Sequence, residues 1–126
     1  MQATQGDGDV LVVAIVTLTV VTAAIHFSRA VVDPEIRVLF LLNGLGYLGL
    51  LVALYEPPPV LRPRRWFMRR VLIGYTLLTI VLFFVWGMMS GEWPLVGLVD
   101  KAIEVTLLVL LWHADRQASL SALPSR

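Results

Sequence analysis

Long apolar runs alternate with short polar stretches along this chain, and four of the runs have the length of a membrane-crossing helix. These runs cover residues 10–31, 35–55, 70–90 and 94–114. A helix needs about 20 apolar residues to cross a hydrocarbon core of roughly 30 Å. A soluble bundle would show a polar face along every helix, but residues 38–42 and 81–85 are apolar on all sides. The pattern predicts an all-α, membrane-spanning four-helix bundle that forms a single domain.

Local signals mark several ends of these helices. Asp33 is suited to capping the second helix, and Pro34 to its first turn. Gly91 is expected to close the third helix, and Pro94 to stand in the first turn of the fourth. Because the connections are short, sequential helices should be antiparallel neighbours, which predicts an up-down-up-down arrangement.

Composition agrees with a lipid setting and excludes several kinds of site. Hydrophobic residues make up 58% and charged residues 15% of the chain, whereas soluble domains are near ~45–50% and ~25%. The net charge of +1 provides no overall field that would attract nucleic acid. The chain has no cysteine, so it can form neither disulfides nor thiolate metal sites.

Arginines are distributed unequally between the two ends of the predicted bundle. The stretch 56–69 is predicted to be a basic loop, and the arginines in it and directly after it are Arg62, Arg64, Arg65, Arg69 and Arg70. Arg116 and Arg126 add to this side, whereas the opposite side has only Arg29 and Arg37. Since basic residues favour the cytoplasmic side, we expect a plasma-membrane protein with both termini in the cytoplasm. The five loop arginines could also bind anionic lipid headgroups, although topology alone accounts for their charge.

Charged side chains within the fourth apolar run are the strongest functional candidates, because such groups are costly in a membrane. Asp100, Lys101 and Glu104 share one helical face at the i, i+1 and i+4 positions. A rise of about 1.5 Å per residue brings polar or aromatic residues of the other helices to a similar depth. We therefore predict one ligand- or proton-binding cluster made of His26, Asn43, Tyr47, Trp86, Asp100, Lys101 and Glu104, with Thr22 one turn from His26. The alternative is that these groups satisfy one another and only fix the helix register.

Three other sites receive less support from the sequence. A metal site at His26 and the carboxylates lacks a compact ligand motif, and Lys101 would oppose a cation. A haem held between His26 and His113 of one chain is disfavoured because these residues lie near opposite ends of the predicted bundle, although a haem bound through one histidine, or shared between subunits, remains open. The glycines of the segment 43–49 have dinucleotide-binding spacing but stand inside an apolar helix, where they favour close helix packing instead.

Several strings resemble a group of small, uncharacterised prokaryotic membrane proteins with four helices. The strings are AIHF (24–27), FLLNGLGYLGLL (40–51), LIGYTLLTIVLFFVWG (72–87) and PLVGLVDKAIEV (94–105). This resemblance carries no mechanism, because that group has no established activity. It implies that His26, Asn43, Asp100, Lys101 and Glu104 belong to recurring motifs.

Four hypotheses for function follow. The first is binding or translocation of a proton, a cation or a small polar solute by the cluster, in a homo-oligomer or a larger complex. The second is a structural or accessory subunit of a larger membrane complex. The third is a redox protein that holds haem or quinone near His26. The fourth is a lipid-directed enzyme with His26 as its base, which has the least support because no catalytic motif accompanies it.

Overall fold

Four α-helices account for most of residues 5–124, which are the residues that the computed structural model describes. The helices are α1 (Gln5–Val32), α2 (Arg37–Tyr55), α3 (Arg65–Ser90) and α4 (Leu95–Ser121). Single 3-10 turns, Pro34–Ile36 and Arg62–Arg64, precede α2 and α3. The prediction of an all-α fold is thereby confirmed, while Arg126 lies outside the described residues.

Three helices continue beyond the apolar runs that predicted them, and α1 begins at Gln5, before the predicted start at residue 10. The first turns of α3 include residues 65–69, which the sequence predicts to belong to the basic loop. At the other end of the chain, α4 extends past the predicted boundary at residue 114 and ends at Ser121. The reason is that arginine, glutamine and alanine are good helix formers, so a charged residue ends the apolar run without ending the helix.

The helix ends follow the sequence signals in part. Gly91 closes α3 in the left-handed conformation at φ 74°, and its N–H donates to the carbonyl of Gly87 at 2.9 Å, as predicted. Pro94 stands directly before α4, and its carbonyl accepts the first helical hydrogen bond. Asp33 occupies the predicted N-cap position before the 3-10 turn that leads into α2, but its carboxylate pairs with Arg29 and forms no capping bond.

The four helices pack in a ring, in which α1 and α3 each contact both α2 and α4. Where α1 leads into α2, Arg37 Nε donates to the carbonyl of Ala30 at 2.9 Å. One end of the bundle carries this connection and the turn at Gly91, and we call it the Gly91 end. The opposite end carries the segment 56–70, and we call it the arginine end. Apolar side chains that are at most 1% exposed fill the centre toward the arginine end: Ile15, Leu54, Leu72, Leu107 and Leu111.

Large apolar side chains also cover the outside of the bundle. Val38, Leu39 and Leu42 on α2 are each more than 60% exposed, as is Val109 on α4. Three helices are long and apolar enough to cross a membrane, namely α1, α2 with its preceding turn, and α3 with its preceding turn. The helix α4 differs from them because it carries charged side chains within its apolar run.

Candidate functional site

The inward face of α4 carries two carboxylates joined by one ammonium group. Asp100, Lys101 and Glu104 are 3%, 7% and 0% exposed. Lys101 Nζ donates to Glu104 Oε2 at 2.5 Å and to Asp100 Oδ2 at 3.1 Å. Since the three residues share one helical face, the ammonium can reach both carboxylates without leaving α4.

Helix α1 adds a hydroxyl group and an imidazole from positions i and i+4. Thr22 Oγ1 donates to Asp100 Oδ1 at 2.5 Å. His26 Nδ1 lies 2.9 Å from the carbonyl of Thr22. A carbonyl oxygen only accepts, so this contact assigns a proton to Nδ1 and leaves Nε2 to face Glu104 Oε1 at 4.0 Å.

Helices α2 and α3 complete the surroundings of Glu104 with two hydroxyl groups. Tyr47 OH donates to Glu104 Oε1 at 3.0 Å and lies 2.9 Å from Thr79 Oγ1. Thr79 Oγ1 has a single proton and can direct it to Glu104 Oε2 at 3.1 Å or to the carbonyl of Thr76 at 2.8 Å. Glu104 therefore receives hydrogen bonds from three helices.

Together these side chains form a closed network that we call the charged cluster. It consists of Thr22, His26, Tyr47, Thr79, Asp100, Lys101 and Glu104. Every buried side-chain nitrogen and oxygen of the described residues has a hydrogen-bond partner. With a neutral imidazole, two carboxylates and one ammonium leave a formal charge of −1 in a site shielded from solvent.

The structure brings together five of the seven residues predicted for this site, and it places Asn43 and Trp86 apart from the charges. Asn43 is half-buried, and its side-chain oxygen accepts a hydrogen bond from Tyr75 OH at 2.9 Å. The ring of Tyr75 packs edge-on against Tyr47 at 4.9 Å, so Asn43 is connected to the cluster only through two tyrosines.

Trp86 does not contact the charged side chains as predicted, because another aromatic ring of α3 occupies that position. Trp86 is 40% exposed and packs on Phe83. It is the ring of Phe83, three residues earlier, that lies 5.6 Å from Lys101 Nζ. Trp86 is therefore one turn of α3 away from the ring that approaches the charges. Depth along the helix does not distinguish two positions this close.

Two members of the surroundings were not predicted: Thr79 and Phe83. The signal for Thr79 was present, because Thr76 and Thr79 are the only hydroxyl groups within the apolar stretch 76–85. Phe83 gave no such signal, since it differs in no way from the apolar residues beside it. Its role follows from the missing side chain at Gly97, where a Cβ would lie 2.5 Å from the Phe83 ring.

Ligand atoms of His26, Asp100 and Glu104 lie within 4.8 Å of one another, a spacing that a metal ion could use. The ammonium group of Lys101 already occupies the position between the two carboxylates. A haem also fits poorly, because Phe40 and Tyr47 both pack edge-on against the imidazole of His26 at 5.9 Å. The arrangement is therefore suited to holding a proton among its own hydrogen bonds.

The arginines predicted to bind lipid headgroups lie at the arginine end, away from the charged cluster. Arg65 Nε donates to the carbonyl of Leu54 at 3.1 Å. Arg69 and Arg70 both contact Asp115 near the end of α4, at 3.4 and 3.5 Å. Arg62 and Arg64 are exposed in the 3-10 turn that precedes α3.

The comparisons with known proteins complete the description of this site. Neither protein-family models, nor curated protein sequences, nor solved structures gave a match to this chain.

Proposed function

We propose that this chain is a small integral membrane protein whose charged cluster reversibly binds one proton. In this proposal the four helices cross the plasma membrane up-down-up-down, with the arginine end and both termini in the cytoplasm. The exposed apolar surface of all four helices supports a lipid environment, because a water-soluble bundle would present polar faces. The excess of arginine at one end supports the orientation.

The burial of two carboxylates around a single ammonium group is the observation that carries the proposal. A net charge of −1 in a low-dielectric interior is unfavourable, and one added proton removes it. The titratable groups that face Glu104 are His26 from α1, Tyr47 from α2, and Asp100 and Lys101 from its own helix. From α3 it receives the hydroxyl group of Thr79, and the phenol of Tyr75 lies behind Tyr47. Glu104 and the Nε2 atom of His26 are therefore the positions that a proton would take.

Close packing favours a proton over a larger solute. The charged side chains of the cluster are at most 8% exposed, and their polar atoms are all partnered. A solute would have to break these contacts, whereas a proton can move along existing hydrogen bonds. Among the described residues, the buried hydroxyl groups of Thr19 and Thr76 toward the arginine end donate to carbonyls of their own helices, and the centre beyond them is apolar. These features support proton binding from the Gly91 end over translocation across the membrane.

A surface groove of about 390 Å³ between α1 and α2 provides an approach from the Gly91 end. It is lined by Phe27, Ala30, Val31, Arg37 and Leu41. Ala30 lies one helical turn from His26 on the same face of α1, which makes the imidazole the member of the cluster nearest to this groove.

Protonation can be followed by infrared difference spectroscopy on the full chain in lipid nanodiscs. Exposed carboxylates take up protons on acidification in every variant, and the wild type should take up one further proton per chain at a carboxylate or imidazole group of the charged cluster. Glu104→Gln leaves Asp100 and Lys101 as a neutral pair, so it should abolish this signal. Glu92→Gln is the matched control, because Glu92 is exposed at the same end and should leave the signal intact. An undiminished signal in Glu104→Gln would refute the role of Glu104 in proton uptake, and absence of this signal from the wild type would refute proton binding.

The orientation has a separate test, because the chain contains no cysteine. Single variants Ser90→Cys and Val60→Cys place one thiol at each end of the bundle. In intact cells, a membrane-impermeant maleimide should label the thiol at residue 90 and spare the thiol at residue 60. Labelling of both thiols, or the reverse pattern, would contradict the proposed topology.

An accessory role in a larger membrane complex is the second candidate. Its support is the closed network itself, because buried polar groups that satisfy one another can fix helix register with no ligand. The two candidates differ in the infrared experiment. A purely structural network would show no proton uptake by the wild type and would still require Glu104 for stability.

A further inference from the structure

The segment 56–70 combines a high positive charge with exposed apolar side chains. It contains five arginines and one glutamate, which give a formal charge of +4. Part of this charge is neutralised within the protein, because Arg69 and Arg70 both contact Asp115. The remaining charge is concentrated where the chain turns from α2 to α3.

Within the described residues, Arg62 and Arg64 have neither a carboxylate nor a carbonyl partner, whereas Arg65 donates to the carbonyl of Leu54. Both Arg62 and Arg64 are exposed, and no carboxylate among residues 5–124 comes within 4 Å of either guanidinium group. Pro63 stands between them and restricts the backbone of the 3-10 turn. The two arginines therefore belong to one short turn, and their guanidinium groups are available to bind an anion from outside the protein.

Three exposed apolar side chains lie beside these arginines. Val60 is 76% exposed, Trp66 is 55% exposed and Phe67 is 47% exposed. The guanidinium group of Arg70 lies 5.3 Å from the centre of the Trp66 ring, a cation–π contact that orients the indole. Aromatic and basic side chains together are typical of segments at the boundary between headgroups and acyl chains.

We propose that the segment 56–70 binds the phosphate groups of anionic phospholipids, with Arg62 and Arg64 as the principal ligands. Guanidinium groups bind phosphate oxygens in a bidentate manner, which suits them to this partner. A free phosphate ion would use the arginines alone, whereas a phospholipid also covers Val60, Trp66 and Phe67. This inference rests on the proposed membrane insertion and is independent of proton binding by the charged cluster.

Competition between lipids in native mass spectrometry tests the proposal. The full chain is released from membranes that contain equal amounts of phosphatidylglycerol and phosphatidylcholine, and the retained lipids are counted. We expect enrichment of phosphatidylglycerol on the wild type. In the double variant Arg62→Gln/Arg64→Gln the enrichment should fall by about 25-fold, because each basic residue near an anionic surface contributes about a factor of five.

Matched controls separate the alternatives. Arg29→Gln/Arg37→Gln removes the same charge at the Gly91 end and should preserve the enrichment. An equal loss in both double variants would overturn the assignment to this segment. Inorganic phosphate at millimolar concentration should not displace the lipid, and displacement would indicate a small-anion site instead. A wild type that alkaline carbonate extracts from membranes would refute membrane insertion itself, whereas an integral wild type without lipid preference would refute this inference alone.

Discussion

Replacing Lys101 by methionine should be among the most destabilising single changes in this chain. The substitution keeps most of the aliphatic stem and removes the ammonium group that joins Asp100 to Glu104. Ligand oxygens of the two carboxylates lie within 4.8 Å of each other. At an effective dielectric constant of about 20, two negative charges at this distance repel by about 3 kcal/mol. Removing one partner of a buried ion pair costs roughly 3–5 kcal/mol, a range that agrees with this repulsion.

The loss of stability in Lys101→Met has an upper limit, because one of the two carboxylates can take up a proton. Protonating an ordinary glutamate at neutral pH costs about 4 kcal/mol. We therefore expect Lys101→Met to lower the free energy of unfolding by about 3–4 kcal/mol at neutral pH. Acidification should reduce this loss, since a neutral carboxyl group no longer repels its neighbour.

Titration with sodium dodecyl sulphate in mixed micelles, followed by circular dichroism, measures these free energies. Glu104→Gln is the informative comparison, because it leaves a neutral pair and should cost only about 1–2 kcal/mol. Adding Glu104→Gln to Lys101→Met should restore part of the lost stability. If Glu104→Gln were more harmful than Lys101→Met, or if it further weakened the Lys101→Met variant, the charge count on which the argument depends would be wrong.

Two further changes test the packing around the charged cluster, and the same unfolding assay measures both. Tyr47→Phe removes the hydroxyl group that donates to Glu104 Oε1, so it should cost about 1–3 kcal/mol; a cost near zero would mean that this bond contributes nothing. Gly46→Ala directs a methyl group into the hydroxyl group of Tyr75 and should cost about 1–3 kcal/mol. Gly49→Ala meets no atom within 4 Å and should be neutral or slightly stabilising, and equal effects at both glycines would contradict the packing argument.

The amino-acid pattern predicts the helices of this protein better than it predicts their ends. Long apolar runs require helices whatever surrounds them, so the four elements follow from the sequence. Their boundaries do not follow, because residues 65–69 and 115–121 carry charged side chains that interrupt the apolar runs and are still helical. Hydropathy reports where an apolar run ends, whereas a helix ends where its backbone hydrogen bonds end.

Helical periodicity and depth along each helix predicted part of the charged cluster. Charges on one face of α4 had to point inward, and depth selected His26 and Tyr47 correctly as neighbours. Depth does not fix how far each helix is rotated about its own axis. Trp86 and Phe83 differ by one helical turn, and only the packing of Phe83 over Gly97 decides which ring approaches Lys101.

If the chain inserts into the membrane as proposed, the position of α4 after the other three helices has a consequence for biogenesis. Three charged side chains within this helix would each oppose its entry into lipid by about 2.5–3.5 kcal/mol near the bilayer centre. The groups that offset this cost belong to the three helices synthesised earlier: Thr22 and His26 on α1, Tyr47 on α2, and Thr79 on α3. A nascent chain leaving the translocon would therefore present the complementary surface before the helix that needs it emerges from the ribosome.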